Sequence, residues 1–194
     1  MLIEIKNLNK SFKNIVVLDN VNISIPESGI VLLKGRNGTG KSTLLKIISK
    51  FIKKYSGLIN YNDNLFFEKS GFLLDVDILI DDLSFEDNMQ LIGGILKMEK
   101  GEVENKIAFY QDLFSLPRKE FYKNYSLGMK KKSELARTLI NDPQYIFWDE
   151  PFNSLDQESV KIIVDQILDK NKLFFIVTHE DYLDKITDEI IVLD

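Results

Sequence analysis

The chain has 194 residues, a formal net charge of −5, 44% hydrophobic and 28% charged residues, and no cysteine. That length and balance suit one α/β core with room for an insertion, and they exclude a disordered chain, a disulfide framework and a thiolate metal site. The acidic balance argues against a general nucleic-acid coat, and no apolar run reaches the length of a membrane span.

Residues 1–6 alternate as a strand, unlike a signal peptide. Further strands are predicted at 15–18, 21–25 and 30–34. Next comes Gly35-Arg36-Asn37-Gly38-Thr39-Gly40-Lys41-Ser42, which fits the pattern G-x-x-x-x-G-K-[ST]. A buried strand before it and the apolar-faced helix opening at Thr43 after it are the setting this loop needs. Glycines let backbone N–H groups turn inward, and those dipoles align with a helix N-terminus to cradle phosphate. Lys41 places a point charge between the β- and γ-phosphates, and the Ser42 hydroxyl is a Mg²⁺ ligand. The segment predicts a nucleoside-triphosphate site.

An extended pair follows at 57–61 and 65–67. The middle then turns helical. Ser84 with Asp87 forms an N-terminal capping pair opening a helix over 85–98, and Val103, Ile107, Tyr110, Leu113 and Phe114 give a second helix one apolar face. Beyond Ser126 helix and strand alternate strictly: helix 127–140, strand 144–148, helix 157–170, strand 172–177, a short helix from Glu180, and strand 189–193. This pattern predicts a mainly parallel sheet covered on both faces, with the helical middle as an insertion.

Tyr145-Ile146-Phe147-Trp148-Asp149-Glu150 is an apolar strand ending in two carboxylates. Ligands in open α/β sheets bind beyond the carboxyl ends of strands, so both point toward the phosphate site. Asp149 is the natural partner of Mg²⁺, and Glu150 the group to polarise an attacking water. Alone, the pair would equally be a helix cap before Pro151; beside the phosphate loop, metal and base is the favoured reading. His179, the only histidine, ends the strand at 172–177 and shares that rim, where it is placed as a γ-phosphate or water contact.

These residues resemble the ATP-binding cassette (ABC) family over essentially the whole chain. Residues 34–44 look like its Walker A motif, in which Gly35, Asn37, Gly38, Thr39, Gly40, Lys41, Ser42 and Thr43 contact the nucleotide. Ile146-Phe147-Trp148-Asp149-Glu150-Pro151 looks like Walker B with the catalytic glutamate. Asn153-Ser154-Leu155-Asp156 is similar to the D-loop, and Thr178-His179 to the switch histidine. Most diagnostic is Tyr125-Ser126-Leu127-Gly128-Met129-Lys130, which resembles the signature motif, with Leu127 and Met129 where glycine and glutamine are usual. Asp75 stands where the Q-loop usually has glutamine or glutamate, and would reach Mg²⁺ through water. Phe12 resembles the aromatic that stacks on adenine, and equally suits plain packing.

The resemblance implies a P-loop NTPase core with an N-terminal antiparallel β subdomain and an inserted helical subdomain at about 76–134, all in one nucleotide-binding domain spanning 1–194. It implies ATP and Mg²⁺ as ligands, with Lys41, Glu150 and His179 catalytic and Ser42, Asp149 and Asp75 serving the metal. It also implies head-to-tail pairing with a second nucleotide-binding domain, expected to be another copy of this chain, in which Ser126 and Gly128 close on the partner's ATP. The expected function is the ATPase subunit of a membrane exporter of peptide, antibiotic or lipid-like cargo. It would sit on the inner face of the membrane through transmembrane permease subunits and bind no nucleic acid. Docking is expected around 73–96, flanked by Asp75, Asp77, Asp81 and Asp82. The alternatives are a soluble ABC ATPase acting on ribosomes or DNA, or a low-turnover ATP-binding switch.

Overall fold

The computed structural model describes residues 1–193. Its first unit comprises Met1–Asp75, Gln144–Glu150 and the described residues from Asp169 on. Here β1 (Ile3–Phe12), β2 (Ile15–Ile25) and β4 (Ser56–Tyr61) form an antiparallel sheet in the order β2-β1-β4. A parallel five-stranded sheet, ordered β5-β6-β7-β3-β8, combines β3 (Gly29–Lys34), β5 (Ser70–Leu73), β6 (Tyr145–Asp149), β7 (Leu173–Val177) and β8 (Glu189–Val192). The inner strands β6 and β7 are buried at every position, which is why they read as unbroken apolar runs and not as alternations. Helix α1 (Lys41–Ile48) contributes Leu44, Leu45, Ile47 and Ile48 to one core with residues of both sheets.

Two sequence expectations change here. The segments 15–18 and 21–25 form one continuous strand, β2, because Asn20 takes a left-handed φ of 50° and the ladder absorbs the irregularity as a register shift. Residues 65–67 are not a strand. The Asp63 side chain accepts the Leu65 N–H at 2.8 Å and the Asp63 carbonyl accepts the Phe66 N–H, so the chain turns and drives Phe66 into the core. The strand expected there begins later, at Ser70.

The second unit comprises Val76–Pro143 and Pro151–Leu168 and carries α2 (Phe85–Ile95), α3 (Lys100–Phe114), α4 (Leu127–Leu139) and α5 (Gln157–Gln166). The Ser84–Asp87 pair is a reciprocal capping box at the start of α2. That helix stops at Ile95, short of 98: Lys97 turns left-handed at φ 57° and the Met98 N–H returns to the Gly93 carbonyl at 2.9 Å. A Cβ at Gly93 would lie 2.4 Å from Val103 Cγ2, so the glycine is what lets α2 and α3 approach. Helix α5 ends at Gln166, not at 170, with the Leu168 N–H turned back to the Ile163 carbonyl. Among the described residues no helix is long and apolar enough to cross a membrane.

Candidate functional site

The phosphate loop joins β3 to α1. Gly40 caps α1 in the left-handed region at φ 95°, where a Cβ would come within 2.7 Å of the Val17 carbonyl. At Gly35 a Cβ would lie 2.1 Å from the Leu193 carbonyl. Only glycine fits either place. Thr39 closes the turn, its N–H and hydroxyl both donating to the Arg36 carbonyl. The Lys41 ammonium is buried and folded over the loop, donating to the carbonyls of Gly35 and Arg36 at 2.9 Å each. The loop is therefore a backbone concavity at a helix N-terminus with a fixed cation on its rim, a built anion site.

Strand register brings the remaining groups to the same rim. Asp149 pairs with Val177 across β6 and β7, and Leu33 pairs with Val177 across β3 and β7. The residues just past those positions, Glu150, His179 and the loop from Gly35, thus leave the sheet together. Asp149 is buried. Glu150 takes a left-handed φ of 46° while its N–H donates to the Val177 carbonyl at 2.9 Å. An L-residue held there costs about 1–2 kcal/mol. His179 Nε2 lies 3.3 Å from Glu150 Oε1, with the side chains 48% and 23% exposed. Burial pushes the Glu150 carboxyl above its usual range; His179 and Lys41 pull it back, and Asp149 pushes it further up. A carboxyl raised in this way beside a polyanion site is suited to taking a proton.

The other expected site residues are carried by further elements. Phe12, at the end of β1, is half-exposed with the Lys10 ammonium 4.5 Å from its ring centroid. Asp75 is exposed beyond β5. Ser126 and Gly128 belong to the second unit. Ser126 caps α4, its side chain accepting the Met129 N–H. A Cβ on Gly128 would lie 2.9 Å from the Ser154 carbonyl, a close approach that gives this glycine a packing role beside any ligand role.

Among the described residues no three His, Asp or Glu side chains gather into a protein-only metal site. Ser42, in the first turn of α1, and Asp149, at the end of β6, are oxygen groups that could hold a Mg²⁺ shared with substrate phosphates.

A phosphate loop between a parallel strand and its helix, with an Asp-Glu pair ending a strand one removed in the same sheet, defines a P-loop nucleoside triphosphatase. The ABC transporter family model matches residues 18–153, and the chain belongs to that family. It is 31% identical to the lantibiotic transport ATP-binding protein SrtF of Streptococcus pyogenes, over 92% of this chain and 80% of that one. It is 29% identical to the putative hemin import ATP-binding protein HrtA of Staphylococcus saprophyticus, over 100% of this chain and 97% of that one. Among solved structures it resembles an ATP-binding cassette captured as a dimer in a post-hydrolysis state with ADP and Pi. That match has TM-score 0.87 and 25% identity, covering 100% of this chain and 94% of that one. The protein is an ABC ATPase.

Sequence reasoning missed two polar constructions. Lys34 pairs with Asp181 and Asp184, holding the 3-10 turn Asp181–Lys185 beside the rim. Glu134, in the buried arc of α4, accepts hydrogen bonds from the backbone of residues 78 and 79. A carboxylate set among Leu135, Ala136 and Leu139 was the available signal.

Proposed function

We propose that this chain powers an exporter of peptide-like cargo, binding through transmembrane permease subunits on the inner face of the membrane. The observation that carries the catalytic part is the 3.3 Å contact of His179 with Glu150 on the rim that bears the phosphate loop. Lys41 and the loop N–H groups hold the β- and γ-phosphates of ATP, and Phe12 offers a ring face to adenine. Ser42 and Asp149 would hold Mg²⁺, and Asp75 would serve it through water; the ion, when bound, would neutralise phosphate charge. Glu150 takes a proton from water as its oxygen bonds to the γ-phosphorus and the bond to the β–γ bridging oxygen breaks. His179 keeps the Glu150 carboxylate aimed. Two copies pair head to tail so that Ser126 and Gly128, at the N-terminus of α4, close on the partner's ATP. The peptide-like cargo is supported by likeness to proteins named for lantibiotic and bacitracin transport.

The test is to solubilise membranes of cells making the Glu150→Gln protein, capture it with ATP and Mg²⁺, and identify what co-purifies. A stoichiometric multi-span membrane protein is expected. Ribosomal or DNA-bound material without a membrane partner would overturn the transporter assignment.

A further inference from the structure

Residues 78–80 belong to no helix or strand, yet each of their N–H groups is bonded to a buried side chain. Glu134 Oε1 accepts the N–H groups of Ile78 and Leu79, both at 3.0 Å. Asn88, on α2, accepts the Ile80 N–H at 2.8 Å and donates back to the carbonyls of Ile80 and Ser84. The second oxygen of Glu134 is taken by Arg137 Nε at 2.6 Å. Glu134 is only 4% exposed and Asn88 2%. Held this way, the run turns Leu79 inward and leaves Val76, Ile78 and Ile80 exposed. Further along, the Asp81 carbonyl accepts from Lys123 N–H, and the Leu83 carbonyl from Tyr122 N–H.

The grip is asymmetric. Asn88 ties Ile80 to α2, whereas Glu134 ties Ile78 and Leu79 to α4, whose other end is the Ser126 cap. Glu134 lies eight positions beyond Ser126, about 12 Å along one helix at 1.5 Å per residue. A two-bond carboxylate grip on adjacent amides leaves neither amide free to shift without breaking a charge-assisted bond, and for the buried Leu79 amide the alternative is an unsatisfied donor.

We propose that Glu134 is a positioning residue that makes residues 78–80 follow α4, so that the state of the Ser126 end is felt at the exposed Val76, Ile78 and Ile80 surface. This rests on the reading that the Ser126 end meets ATP across a dimer. Glu134 itself is buried and acts through the backbone it holds. It converts ordering of one helix into ordering of an irregular segment that has no ladder of its own.

The experiment is amide hydrogen exchange on the Glu150→Gln protein, with and without ATP and Mg²⁺, alongside light scattering for the dimer. Adding Glu134→Ala is expected to speed exchange at Ile78 and Leu79 at least about tenfold without nucleotide, leaving the central amides of α2 and α4 unchanged. Glu134→Gln, which keeps one carbonyl acceptor, speeds it less. ATP and Mg²⁺ are expected to slow exchange at Ile78 and Leu79 in the parent. They should fail to do so in Glu134→Ala although its dimer still forms, and the response should partly return in Glu134→Gln. Unchanged exchange in both Glu134 variants would overturn the grip. An ATP response that persists at full size in Glu134→Ala would overturn the transmission. A parent that does not dimerise with ATP and Mg²⁺ would instead overturn the ATP-sandwich reading, and the nucleotide-free exchange would then decide the grip by itself.

Discussion

Glu150→Gln separates two properties of the same carboxyl group. The backbone there is fixed by its own N–H bond to Val177, and the glutamine amide oxygen can still accept from His179 Nε2, so orientation survives. What is lost is the capacity to take a proton from water. Positioned bases contribute about 10²–10⁴-fold, or about 3–5 kcal/mol at 1.36 kcal/mol per decade, and the single-turnover rate of phosphate release should fall by that factor. ATP affinity should not fall, because a negative charge is removed beside a polyanion. Stability should move the other way. The native Glu150 carboxyl has its pKa raised above the ordinary 4.5, chiefly by burial, so the native state binds this proton more tightly than the unfolded one. The resulting contribution to stability is fully present below the unfolded value and is lost as pH rises through the folded one. The glutamine variant has no such loss, so thermal melts from pH 4 to pH 8 should show its midpoint gaining on the parent as pH rises. A phosphate-release rate equal to the parent's would refute the base assignment. A midpoint difference independent of pH would refute the burial argument.

Lys41→Ala removes the cation folded over the phosphate loop and should weaken ATP binding about tenfold or more by calorimetry, since hydrogen bonds to charged groups contribute about 1.5–3 kcal/mol; unchanged affinity would sink the loop assignment. Gly128→Ala and Gly94→Ala form a matched pair. The first puts a Cβ 2.9 Å from the Ser154 carbonyl and should lower the melting midpoint. The second meets nothing within 4 Å and should raise it by about 2–4 °C through helix propensity alone. Equal effects would show that the approach to Ser154 is not tight. Among the described residues the buried Tyr122 hydroxyl has no hydrogen-bond partner, so Tyr122→Phe should leave stability unchanged or raise it by about 1 kcal/mol in denaturant melts, and a clear loss would reveal a partner.

Much of the site was legible because its chemistry is local in the chain. The phosphate loop needs consecutive residues with particular backbone freedom, and Gly35 and Gly40 are read directly from their spacing to Lys41. The Ser84 cap likewise acts within three residues of itself. Continuous apolar runs announced β6 and β7, since burial on both faces leaves no alternation. Helix ends were less legible: α2 and α5 stop early where a backbone turn satisfies the last carbonyls, while the apolar pattern runs on.

Long-range pairing was decided only in three dimensions. Glu150 and His179 are 29 positions apart, and nothing local sets their 3.3 Å contact; the register of β6 on β7 does. Glu134 and the amides it grips are separated by 55 and 56 positions. The sequence alone determined the groups whose function depends on adjacent backbone, the phosphate loop and the helix caps. Tertiary structure decided which side chains from separate strands and helices meet, because a hydrogen bond between distant residues leaves no periodicity in the chain.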